Sequence, residues 1–422
     1  MRSCKEKTMD RRQFLTRAAA AVATLPTYTP RMAFAPQHSA PRGDVLVCVF
    51  LRGAADVLNM VVPHGEAAYY RERPTLAIAR PDDLHASATL RAHDLDGFFG
   101  LHPALTPLLP SWQAKDLAIV QACGAPDESR SHFQAMELME RGVETQSGPA
   151  SGWIGRHLAA LDTGNASPLR ALGLGEQVQR ALYGSIPATA LRSIVDFHFG
   201  GALPAGHRLQ QALGRLYHDD PQLAAVAQGT LDVAETLHKL DPLGYRSANG
   251  ALYPESDFGM GLRQIAMLVK AEVGLEVACI DLDGWDTHFA QGGSEGLMAG
   301  LLDDLARGLA AFYADMHAHK DRLSVVVMSE FGRRLRENGA LGTDHGHGSM
   351  MLLLGGSVVG GTIHGNWPGL EAGQLVGSGD LAVTTDYRDV LGELLAQRLN
   401  NPLLESVFPG YTPTFRGVTR KG

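Results

Sequence analysis

The chain has 422 residues with a formal net charge of −8, and hydrophobic and charged residues make up 45% and 19% of it. That length allows one large α/β domain or two ordinary ones, and the composition is globular, which excludes a disordered chain and a membrane-embedded one. No long basic run occurs, so nucleic acid is not an expected partner.

In chain order, Asp10-Arg11-Arg12-Gln13-Phe14-Leu15 comes first, followed by the mild apolar stretch from Ala18 to Leu25. This resembles a twin-arginine signal, whose route exports proteins already folded. Residues 1–35 are expected to be that signal, with Met9 an alternative start and Ala33-Phe34-Ala35 a small-residue cleavage pattern compromised by Pro36. The stretch is short for a bilayer, so no membrane span is expected in the mature, periplasmic or otherwise exported chain.

Five apolar, β-branched-rich runs then read as buried strands: Val45 to Leu51, Leu117 to Ala122, Leu275 to Ile280, Leu323 to Met328 and Met350 to Leu354. Leu169 to Leu174 is a possible sixth. Their scant alternation implies burial on both faces, as in a largely parallel sheet covered by helices. The clearest helix is 294–317, with Leu297, Leu301, Leu305, Leu309 and Phe312 at helical spacing. The region of about 200–270 reads as a helical insertion, from Leu213, Leu216, Leu223 and Ala224 and then Val233, Leu237 and Leu240. One α/β domain over 41–420 is the preferred organisation. Cys4 belongs to the leader, and Cys48, Cys123 and Cys279 lie in or beside apolar runs, which suits buried thiols better than a disulfide framework.

Polar segments cluster where these runs end, and loops at strand ends are where α/β scaffolds expose chemistry. After the first strand a small-residue turn delivers Asp56, a metal ligand or a helix N-cap. Arg52 and Asn59 beside it serve an anion or bond the loop. Glu128-Ser129-Arg130-Ser131-His132-Phe133 precedes an amphipathic stretch, so Ser129 or Ser131 is a cap or a hydroxyl near oriented N–H groups, and Arg130 pairs with an anion. DLDGWDTH at 281–288 offers Asp281, Asp283, Asp286 and His288 as ligands, although one of Asp283 and Asp286 can instead cap a helix or hold an imidazole in its tautomer. Glu330 and Arg333 follow the strand at 323–328, as ligand and anion holder or as a surface ion pair. TDHGHG at 343–348 supplies Asp344, His345 and His347, with one imidazole expected to face the site.

The leader, LRGAADVLNMVVPHGEAAYY, SRSHF, DLDGWDTH, SEFGRRLRENG and GTDHGHGSMMLLLGGSVVGGTIHGNWPGL together resemble the exported bacterial family known as domain of unknown function 1501, nearly end to end. That family is similar to the alkaline phosphatase and sulfatase superfamily. The resemblance implies a three-layer α/β/α fold with metal ligands and a nucleophile at the strand ends. On it, Asp56 corresponds to the first-strand metal ligand, Ser131 or Ser129 to the nucleophile, and DLDGWDTH to an Asp and His pair with one residue more than the usual spacing. Asp344-His345 matches an Asp-His-Gly ligand pair by its letters. By position the pair is instead Glu330-Phe331, in which Phe replaces a ligand. No Cys-x-Pro-Ser-Arg occurs, which disfavours a formylglycine sulfatase.

The leading expectation is therefore an exported metal-assisted hydrolase of phosphate or sulfate esters. Its divalent ion (zinc, manganese or calcium) is held among Asp56, Asp283, Asp286, His288, Glu330, Asp344, His345 and His347. Ser131 attacks, and Arg130 or Arg333 steadies an anionic small molecule or glycan. The alternatives are a degenerate member that binds an anionic glycan or partner protein without turnover, and a metal-dependent transferase.

Overall fold

The computed structural model describes residues 44–194, 221–238, 240, 242 and 244–421. The leader, Leu213 and Leu216 lie outside the described residues, as do the side chains of Leu223 and Ala224. In chain order the strands are β1 (Val45–Leu51), β2 (Val61–Val62), β3 (His93–Asp94), β4 (Gly100–Leu101), β5 (Leu117–Gly124), β6 (Ala171–Leu174), β7 (Thr189–Leu191), β8 (Val277–Leu282), β9 (Leu323–Ser329), β10 (Arg333–Glu337), β11 (Thr343–His345), β12 (Ser349–Leu354), β13 (Ile363–His364) and β14 (Thr385–Asp386). The main helices are α1 (His132–Arg141), α2 (Trp153–Ala160), α3 (Pro221–His238), α4 (Asp257–Lys270), α5 (Leu297–Asp315) and α6 (Tyr387–Gln397).

Nine strands form one sheet in the order β13-β5-β12-β9-β1-β8-β6-β7, with β14 also paired to β5. Every pairing is parallel except those of β12, which runs against both β5 and β9. The fold is thus mixed α/β around a mostly parallel sheet. The run VLVCVFL in β1 shows why: all seven residues are buried. Val45, Val47, Val49 and Leu51 pack on one side with Leu262 and Ile265 of α4 and Leu302, Leu305 and Leu309 of α5. Leu46, Cys48 and Phe50 pack on the other with Trp153, Ile154 and Leu158 of α2 and Val390, Leu391 and Leu394 of α6. A strand whose alternate side chains both find helices has no polar face to show.

Differences from the sequence reading are local. In α5 the inward stripe begins at Met298, whereas Leu297, the first helical residue, is 54% exposed. The insertion supplies α3 and α4, and Val233 and Leu237 join the core. Between β9 and β12 the chain forms an antiparallel β10–β11 hairpin where a loop was expected. Cys48, Cys123 and Cys279 are free and buried. Among the described residues no helix is long and apolar enough to cross a membrane.

Candidate metal centre

The register brings the polar segments to one edge of the sheet. Leu51 pairs with both Leu282 and Ser329, so β1, β8 and β9 end together and release 52–56, 283–288 and 330–333 side by side. The crossover from β8 to β9 passes over β1, which makes this the kind of strand-end crevice where α/β sheets bind ligands. β5 runs the same way as β9 and delivers 125–132 to that edge, and the reversed β12 begins there, so TDHGHG enters from the far side. The loops touch because of Gly53: it has φ +115°, and a Cβ there would stand 2.6 Å from the Asp286 amide nitrogen.

Three imidazoles surround Asp286 Oδ1 in this crevice. His132 Nε2 lies 3.4 Å from it, His288 Nε2 3.1 Å and His345 Nε2 3.2 Å. His132, Asp286 and His345 have ligand-type atoms mutually within 4.8 Å, and His288 Nε2 stands 2.8 Å from His345 Nε2. Tetrahedral ligands bound at zinc–nitrogen distances are about 3.3 Å from one another, which matches the three edges from Asp286. Phe331 stacks on His132 with ring centroids 5.1 Å apart and also meets His345 at 5.1 Å.

The far nitrogen of each ring faces an acceptor that has no proton to give. His132 Nδ1 lies 2.7 Å from Glu330 Oε1, His288 Nδ1 3.2 Å from Asp344 Oδ1, and His345 Nδ1 2.9 Å from the Arg130 carbonyl. A carboxylate or carbonyl fixes the proton on Nδ1, so in the neutral rings every Nε2 presents a bare lone pair. Three lone pairs and a carboxylate oxygen converge, and His132 Nε2 is buried with no hydrogen-bond partner. Such a junction suits a cation or added protons, beyond the Arg333 guanidinium already on Asp286 Oδ1.

The electrostatics reflect this crowding. Burial alone raises the Asp286 pKa, but the hydrogen bond from Arg333, the His345 ring once it carries a second proton, and the Arg333 charge bring it down to about 2. The hydrogen bond and charge of Glu330 raise the His132 pKa against its burial. Burial lowers that of His345. Asp344 is held below its usual range, first by the Asn338 amide and then by His288.

Asp56 is fully buried and engaged by Arg73, at 2.6 and 2.9 Å, and by Gln291 at 2.6 Å, so it braces the first loop from beneath. Glu330 and Asp344 touch imidazoles from behind. Asp283 is exposed, and its carboxylate forms no hydrogen bond or ion pair with the cluster among the described residues. Arg333 is fully buried and donates to the Ala54, Thr343, Gly53 and Trp285 carbonyls and to Asp286 Oδ1, so its guanidinium is spent on the loops and has no exposed face for a substrate. Arg130 turns its guanidinium to Asp380 and lends its carbonyl to His345. Ser131 is the exposed N-cap of α1, its hydroxyl outside any capping bond. His347 lies past the end of β11 toward Arg130 and Asp380, its pKa lowered by burial. Arg52 bonds Glu140 and Asp281, settling it as a loop tether.

His132 is the site residue that sequence reasoning passed over. It stands in SRSHF, a segment read for its serines and arginine, and as the first residue of α1 it points back across the strand ends. Residues 44–399 match the model of a family described as "Protein of unknown function (DUF1501)". No curated protein matches the chain.

Proposed function

The chain belongs to the DUF1501 family, and we propose that it is an exported, metal-assisted hydrolase of phosphate or sulfate esters on an alkaline-phosphatase-like α/β/α scaffold. Export rests on the twin-arginine resemblance of the leader. The observation that carries the activity is the convergence of three oriented imidazole Nε2 atoms on Asp286 Oδ1. Imidazole-rich donors suit zinc best of the three ions, whereas manganese and calcium favour oxygen ligands. His132, Asp286 and His345 hold the ion, with His288 completing the set; Glu330, Asp344 and the Arg130 carbonyl orient the rings. Bound there, a divalent ion supplies Lewis-acid polarisation of an ester oxygen. Ser131 is the proposed attacking hydroxyl. It stands at the amino end of a ten-residue helix, where oriented N–H groups favour negative charge.

The test is metal analysis of the purified full-length protein after dialysis against chelator and reconstitution with zinc or manganese. Turnover of aryl phosphate and aryl sulfate is measured in parallel, with His345→Ala and Ser131→Ala as comparisons. One equivalent of metal and ester cleavage lost in both variants are expected. A protein that takes up neither ion sinks the reading.

One observation favours a second reading, binding without turnover. Arg333 already sits 2.7 Å from Asp286 Oδ1, the oxygen a metal would take. With protons in place of a metal the imidazole cluster is cationic and suits an anionic glycan or an acidic partner. Metal-independent binding of sulfated sugars without product release distinguishes this case.

A further inference from the structure

Two exposed phenylalanines each directly follow one of the cluster's histidines. Phe133 follows His132 and is 85% exposed; Phe289 follows His288 and is 74% exposed. His132 and His288 both pack on His345, with ring centroids 4.3 and 4.5 Å from it. Leu341, 54% exposed, belongs to the turn that holds the Phe289 loop.

The Phe289 loop is held firmly by the turn that carries Leu341. Ala290 N donates to Ala340 O at 3.0 Å, Gln291 N to Leu341 O at 2.9 Å, Thr343 N to Thr287 O at 3.2 Å, and the Asn338 amide to His288 O at 2.9 Å. Ala290 and Leu341 both hold positive φ, 46° and 59°, a conformation that side-chain-bearing residues adopt only when the surroundings impose it. The stitched backbone therefore holds Phe289 and Leu341 out in water beside the crevice. Exposed apolar groups grouped at a polar site mark a binding surface, whereas scattered ones need no explanation.

We infer that Phe133 and Phe289 select esters whose leaving group is an aryl or similarly apolar ring, seated between them while the anionic head meets the imidazole cluster. The inference rests on the ester-hydrolase reading and narrows its substrate class. The rings lie one residue from the groups that face the anion, so the occupant is a small molecule spanning both. A leaving ring that covers about 60 Å² of apolar surface gains roughly tenfold in affinity.

The experiment uses two inert probes, phenylphosphonate and methylphosphonate, titrated calorimetrically into the zinc-reconstituted full-length protein. The phenyl compound is expected to bind at least tenfold tighter, and the ratio to fall to about one in the Phe133→Ala/Phe289→Ala double variant. A merely structural role of the two rings lowers both affinities together and leaves the ratio intact, which overturns the inference. Equal binding of both probes by the parent protein overturns it as well, while leaving the anion site standing. Binding of neither probe sinks the ester reading and this inference with it.

Discussion

Glu330 Oε1 holds His132 Nδ1 at 2.7 Å while also accepting the Gly53 amide at 2.9 Å. One buried carboxylate thus ties the turn after β1 to the imidazole at the start of α1, and its other oxygen is fixed by Ser329 Oγ at 3.0 Å. Carboxylates behind a metal-binding histidine commonly change metal affinity by 10–100-fold. Glu330→Gln is therefore expected to weaken zinc binding by that factor while the far-ultraviolet spectrum stays the same. Unaltered affinity would remove His132 from the ligand set.

A ligand and an orienting residue should separate in strength. His345→Ala deletes a converging Nε2 and is expected to abolish stoichiometric metal uptake. Asp344→Asn keeps an acceptor for His288 Nδ1 on a half-exposed side chain, and a loss of about tenfold or less is expected. Elemental analysis of the two variants at matched metal concentration checks the order. Equal losses would mean that Asp344 is itself a ligand.

Asp56 should act on stability. Its carboxylate is the bidentate partner of the fully buried Arg73 guanidinium, and removing one half of a buried pair destabilises by about 3–5 kcal/mol. Asp56→Ala is expected to lower the urea midpoint accordingly, with zinc affinity of the folded protein within about threefold of the parent. Selective loss of metal without loss of stability would return Asp56 to the ligand set.

Gly53→Ala tests the contact between the first and third loops. A Cβ at φ +115° is strained, and it would lie 2.6 Å from Asp286 N and 3.0 Å from Trp285 C, both backbone atoms that cannot swing aside. A destabilisation of about 2–3 kcal/mol is expected, together with weaker metal binding as Asp286 is pushed from the imidazoles. Thermal unfolding and metal titration read the two effects separately.

The strands and the edge at which chemistry gathers were legible because doubly buried strands leave uninterrupted apolar runs, as in β1 and β9. The polar segments were legible as segments. Which side chain faces inward was not, since that depends on register and loop contact: Glu330 and Asp344 look like ligands by type, yet stand behind imidazoles. Arg333 reads as an anion holder until four carbonyls and Asp286 are found around it. His132 gave a signal only through its place in SRSHF. The β10–β11 hairpin went unseen because its strand RRLRE is charged and only partly buried.

Acid sensitivity should come from two histidines remote from the cluster's chemistry. His102 Nδ1 accepts the Ala104 amide at 3.0 Å and its Nε2 faces Gly293 O at 3.1 Å, while His157 Nδ1 accepts from the Asn401 amide at 2.8 Å. Protonation of either Nδ1 would set a proton against a donor in a buried place. Burial accordingly lowers both pKa values to about 4, with Arg170 adding to the effect at His157. An unfolded histidine takes its proton near pH 6.5, so as pH falls from 6.5 to 4 the unfolded chain binds more protons and the native state loses stability. Each histidine removes about 3 kcal/mol once pH is below 4, and roughly 2 kcal/mol by pH 5. In metal-free protein the urea midpoint should fall from pH 7 to pH 5, and His157→Asn should make the accompanying loss of stability smaller by roughly 2 kcal/mol. Parallel pH curves for parent and variant would show that His157 is protonated in the native state.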